Sequence, residues 1–154
     1  MKLFQRILLL LLILFIAIQF IRPERNTNAA PLPVDISNTV YVPENVSAIL
    51  KNSCYDCHSN NSRYPWYMNI QPMGWIMSDH IKDGKKDLNF SEFGNYSRRK
   101  QTNKLRGIET TIREGEMPIY SYTILHGDAK LNGTEKKIIT DWVSASQDSI
   151  ALKN

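Results

Sequence analysis

An all-α fold is what this 154-residue chain predicts, and three observations carry that expectation. Apolar residues recur at helical spacing, most plainly Leu105, Ile108 and Ile112 between Ser97 and Gly115, and Ile138, Ile139, Trp142 and Val143 after Thr134. No stretch alternates apolar and polar residues with the period of two that a half-buried strand needs, and no internal repeat is present. The first 21 residues carry a nearly unbroken apolar run without a polar face, unlike a helix buried in a core.

That run comes first in the chain. Lys2 and Arg6 precede Ile7 to Ile21, which is apolar except for Gln19. With Leu3 and Phe4 the stretch covers about 19 residues, roughly 28 Å as a helix and close to the hydrocarbon thickness of a bilayer. A positive start followed by an apolar core is also the form of a secretory signal peptide. Against cleavage, Arg22-Pro23 follows the run and only Asn28-Ala29-Ala30 offers small residues. Residues 1–22 are therefore expected to be an uncleaved single-pass anchor in the inner (cytoplasmic) membrane, with the domain in the periplasm. A soluble periplasmic form after cleavage is the alternative. Lys2 and Arg6 set the cytoplasmic end, although Arg22 and Arg25 weaken the charge bias. Pro23, Pro31 and Pro33 among Asn, Thr and Ala make 23–42 an extended tether. Residues 43–150 have the length of one domain.

Within that domain the turn signals mark short helices. Pro43-Glu44 suits a first helical turn, and the segment through Leu50 runs directly into a cysteine motif. Pro72 to Lys82 gives a second helix, closed by Asp83-Gly84. Ser97 is an N-cap for the longer helix that Gly115 ends, and the last helix starts at Thr134. Net charge is +4. Without Lys2, Arg6 and Arg22, 16 basic residues face 15 acidic ones, so no basic field argues for nucleic acid.

The chemistry lies in Cys54-Tyr55-Asp56-Cys57-His58, which holds the only two cysteines of the chain. Cys-x-x-Cys-His is the pattern through which haem is attached covalently. Two thiols one helical turn apart can each add S–H across one porphyrin vinyl group, and the next histidine is placed to bind iron. Three other readings compete with it. A thioredoxin-like dithiol wants a βαβ context and a low-pKa thiolate, and no such pattern surrounds Cys54. A zinc site would need Cys54, Cys57, His58 or another histidine such as His80 and His126, without a second ligand pair at zinc spacing. A disulfide closing so short a loop would restrict the unfolded chain little.

These residues, with Ser59-Asn60-Asn61, Arg63-Tyr64-Pro65-Trp66-Tyr67, Leu88-Asn89-Phe90-Ser91-Glu92-Phe93, Gly115-Glu116-Met117-Pro118 and Asp141-Trp142, resemble the small bacterial haem-binding domain family over roughly 40–147. The resemblance implies a small cytochrome c-like helical domain of exported type with one haem c. It implies no defined reaction. Met117-Pro118 resembles the Met-Pro of monohaem cytochromes c, in which methionine binds iron opposite histidine. Pro118 disfavours helix at Met117, so a thioether can project from a loop after Gly115 has broken the preceding helix. His80 is the rival sixth ligand, and bis-histidine ligation would lower the reduction potential. His126 is expected at a surface turn, Met73 and Met77 in a core. Trp66 and Tyr67 suit packing beside a porphyrin, and Arg63 can offset propionate charge. Arg98, Arg99, Lys100 and Lys104 form a solvated face or a docking patch for an acidic redox partner.

Two function classes follow: a one-electron carrier with both axial positions filled by protein, and a haem-based sensor or redox enzyme with a displaceable distal ligand. No paired acid–base residues mark a peroxidase, so the carrier is the main expectation.

Overall fold

Helices carry nearly all of the architecture. The structure is a computed structural model that describes residues 2–28 and 33–152, and among these no strand forms, only one isolated antiparallel bridge between Thr27 and Asn61. Ala29 and Ala30, offered above as a cleavage site, and Pro31 lie outside the described residues.

The first helix, α1 (Leu3–Ile18), is 16 residues long, about 24 Å at 1.5 Å per residue. Among the described residues no helix is long and apolar enough to cross a membrane, which corrects the expected 19-residue span. The single polar residue of the run explains where the helix stops. Gln19 turns its amide to the domain: its Nε2 donates to the Phe15 and Gln71 carbonyls, and its Oε1 accepts from the Gln71 N–H at 2.9 Å.

The segment expected as an extended tether is part of the folded body. The Asn26 side chain donates to Ser59 O and Ser62 Oγ, both at 2.8 Å, and the Asn26 carbonyl accepts from the Ser62 N–H. Further on, α2 (Ile36–Thr39) is capped by Asp35 and puts Ile36 and Val40 into the core. Proline and asparagine punctuate this segment, but its apolar residues have a partner surface that composition alone does not reveal.

The main core is built from α3 (Glu44–Ser53), α6 (Arg98–Glu114) and α8 (Gly133–Leu152). Leu105, Ile108 and Ile112 of α6 pack with Ile139, Trp142 and Val143 of α8, joined by Val46 and Leu50 of α3 and by Phe90 and Phe93 from the 3₁₀ segment Phe90–Asn95. Each such side chain contributes roughly 1.5–3 kcal/mol when fully buried. The helix ends match their sequence signals. Ser97 Oγ accepts from the Lys100 N–H, and Gly115 takes the left-handed conformation at φ 79°, which a residue without Cβ adopts cheaply. Asn132 and Glu135 cap α8 reciprocally, each side chain accepting from the other's N–H at 2.9 Å.

Between these elements lie α4 (Tyr55–His58) and α5 (Met73–Asp87), packed on each other. The expected stop at Asp83-Gly84 does not occur, and α5 continues to Asp87. A second, smaller core joins Met68, Met77, Ile81, Tyr122 and Ala129, placing Met77 as the sequence suggests. Tyr122 belongs to α7 (Tyr120–Thr123).

Candidate functional site

The cysteine motif sits at a break between two helices. At Cys54 the backbone leaves helical geometry (φ −129°, ψ −38°), ending α3, and α4 restarts at Tyr55. Both the Cys57 and His58 N–H groups donate back to the Cys54 carbonyl, at 3.2 and 3.0 Å. One turn therefore holds both thiols and the imidazole.

His58 is oriented by backbone, not by a side chain. Its Nδ1 lies 3.0 Å from the Gly84 carbonyl and 3.0 Å from the Leu88 carbonyl. Two acceptors demand a donor, so Nδ1 carries the proton and Nε2 keeps the lone pair, the tautomer a metal-binding imidazole needs. The Phe90 ring packs edge-on beside the same imidazole, ring centroids 6.1 Å apart. Those carbonyls reach His58 because α5 approaches α4 very closely. A Cβ at Gly84 would stand 2.6 Å from the Cys57 carbonyl oxygen, so only glycine permits this contact. Gly84 is thus a site residue that sequence reading misses, because Asp-Gly reads as a helix stop. Its one sequence signal is a glycine without a turn around it.

Two adjoining cavities, about 220 and 170 Å³, open beside the motif, and Cys54, His58 and Met117 line both. His80, Cys57 and Ile119 line the first, Leu88, Phe90, Ile108 and Ile112 the second. Met117 arrives there because α6 ends at Gly115. The Glu116 and Met117 N–H groups donate back to the Thr111 carbonyl at 2.9 and 3.3 Å, and the chain then turns across the cavity. His80 reaches the same space from α5, and its Nδ1 is buried with no hydrogen-bond partner.

The residues present fit a haem. Two thiols, an imidazole with a committed tautomer, a thioether and a second imidazole with an orphaned nitrogen surround one largely apolar space. They fit the rival readings less well. Desolvation, then the neighbouring Cys57, pushes the Cys54 thiol up to about 12, and desolvation with Asp56 pushes Cys57 up to about 11. A dithiol redox site needs the opposite shift. For zinc, no group of three His, Cys, Asp or Glu side chains converges among the described residues.

The other candidates make contacts of their own. Arg63, expected to offset a propionate, pairs with Asp56, the buried residue between the cysteines. Its Nε is 3.2 and 3.1 Å from the two carboxylate oxygens and its N–H donates to Oδ1 at 2.9 Å. Tyr122 donates its hydroxyl to the same carboxylate at 2.7 Å. Trp66 is 74% exposed and borders neither cavity. Tyr67 donates to His126 Nε2 at 2.8 Å, and His126 stacks on Tyr122 with ring centroids 4.0 Å apart. His126, expected at the surface, is a half-buried member of this network. Lys104 pairs with Asp87 at 2.8 Å and lies at the rim of the second cavity, and Lys100 sits over the Tyr96 ring.

No curated protein and no solved structure matches the chain. A family model described as a haem-binding domain matches residues 13–145, a span that includes the supposed tether as well as both walls of the cavity. The chain belongs to this haem-binding domain family.

Proposed function

We propose that the protein binds one haem covalently through Cys54 and Cys57, with His58 as proximal and Met117 as distal ligand, and carries single electrons outside the cytoplasm. The observation that carries this reading is the double backbone acceptor on His58 Nδ1 beside a complete Cys-x-x-Cys-His turn. A bound haem supplies a one-electron couple. The chain's own residues would do the rest: the two thiols would tether it, His58 would offer Nε2, Met117 would offer its thioether, and the apolar wall would exclude water. A filled distal side suits a carrier, which needs no open coordination position. The positive, apolar N-terminus supports export, whether α1 stays in a membrane or is removed. A redox protein is the fitting partner, and the positive residues of α6 are the surface for its docking.

Intact-mass measurement of protein made with haem-attachment machinery tests the core of this. One added haem, absent from a Cys54→Ala/Cys57→Ala variant, is the expected result. Stoichiometric zinc with no haem mass would overturn it. A second reading, with His80 as distal ligand, is favoured by the orphaned His80 Nδ1. Spectra of Met117 and His80 variants separate the two.

A further inference from the structure

The surface where α1 meets the domain has a character of its own. From Leu3 to Ala17 each residue of α1 is exposed, and burial begins only at Ile18 and Gln19. Hydrogen bonds then fasten the end of this helix to one edge of the domain. Gln19 and Gln71 exchange donors and acceptors, Trp75 Nε1 donates to the Ile21 carbonyl at 2.8 Å, and Arg25 Nη2 donates to Asn69 Oδ1 at 2.6 Å. The domain residues in these contacts fall within 69–75, spanning the 3₁₀ segment Trp66–Asn69 and the first turn of α5. Around that edge the domain exposes Trp66 (74%), Ile70 (40%) and Ile76 (43%), beside Phe20 and Ile21 of the incoming chain.

We propose that this face, Trp66, Ile70 and Ile76 around the end of α1, rests in the interfacial layer of an anionic lipid bilayer into whose apolar interior α1 inserts. Three observations favour lipid over another occupant. From Ile7 to Ile18 the helix is apolar all round, which suits a surrounding hydrocarbon and not a one-sided protein groove. The face is continuous with that helix, and the hydrogen bonds leave no slack to hold the domain away from any layer α1 enters. Tryptophan and arginine are the residues an interface favours: Trp66 and Trp75 are amphipathic, and Arg22 and Arg25 are exposed cations just beyond the end of α1.

The test uses the full chain in phosphatidylcholine–phosphatidylglycerol vesicles, with a benzophenone amino acid placed singly at position 66, 70, 76 or 137. Lys137 is an exposed residue of α8 and serves as the control. Irradiation should give lipid adducts, detected by mass, at 66, 70 and 76 and not at 137. Arg22→Gln with Arg25→Gln should weaken retention on phosphatidylglycerol vesicles more than on phosphatidylcholine alone. The proposal is overturned by lipid adducts at none of the three positions when the same probe at Leu10 gives them, by cross-links to a second copy of the chain, or by a mature protein that begins after α1.

Discussion

The two walls of the haem cavity are built on different terms. The proximal wall is made of helix against helix. His58 is held by two main-chain carbonyls, Cys57 is pressed against Gly84, and Asp56 is saturated by Arg63 and Tyr122. The distal wall is a loop and an unpartnered imidazole: Met117 hangs from the end of α6 on main-chain bonds to Thr111, and His80 Nδ1 meets nothing. Backbone acceptors in packed helices cannot turn away, whereas a thioether on a loop and an imidazole whose Nδ1 has no hydrogen-bond partner are held by fewer bonds. On the proposed reading, attachment and proximal ligation would rest on packed helices, while the distal ligand, and with it the reduction potential, would be where this architecture can be tuned.

The largest effect belongs to Cys54→Ala/Cys57→Ala, which should abolish covalent haem altogether, seen by haem staining after denaturing electrophoresis. Next, Met117→Ala should open a coordination position, lower the reduction potential and let carbon monoxide bind the reduced protein, while His80→Ala leaves the low-spin spectrum nearly unchanged. The reverse pattern would transfer the distal role to His80, and rapid carbon monoxide binding by the unmodified protein would favour the sensor class.

Gly84→Ala sharpens the proximal side. Its Cβ would meet a backbone oxygen at 2.6 Å, so we expect a loss of about 1–3 kcal/mol, from overpacking, in denaturant melts. Gly107→Ala in α6, where no atom lies within 4 Å of the added Cβ, should gain about 0.5–1 kcal/mol from helix propensity. Equal effects at the two glycines would refute the close-packing account. Tyr122→Phe removes one of several donors to Asp56 and should cost about 1 kcal/mol, with the haem still attached.

The smallest effect concerns the haem-free chain. Burial raises both thiols above their ordinary value of 9.0, Cys57 to about 11 and Cys54 to about 12. The folded chain holds these protons more tightly than the unfolded one. This contribution to stability is therefore fully present below pH 9 and is lost as pH rises through 11 and 12. Fast alkylation of either thiol at neutral pH would contradict it.

Much of this was legible beforehand because local chemistry specifies it. The caps of α6 at Ser97 and Gly115, the apolar stripe of α8 and the cysteine motif each depend on residues within one or two turns, and each stands in the structure where its pattern points. The errors have a common cause. Asp83-Gly84 reads as a stop unless Cys57 is known to lie against it, and the 23–42 segment reads as tether unless a surface is known to receive Ile36 and Asn26. Gln19 looks like a blemish in an apolar run until Gln71, 52 residues on, supplies its partner.

By itself, then, the sequence determined the all-helical class, the two ends of α6 and the haem-binding motif, because short-range periodicity and covalent spacing are properties of neighbouring residues. Tertiary structure alone decided which carbonyls orient His58, that Met117 and His80 share one cavity, and that the N-terminal segment folds onto the domain. Those depend on which distant surfaces are buried together. Burial against a partner is a free energy of the whole chain, and no local pattern contains it.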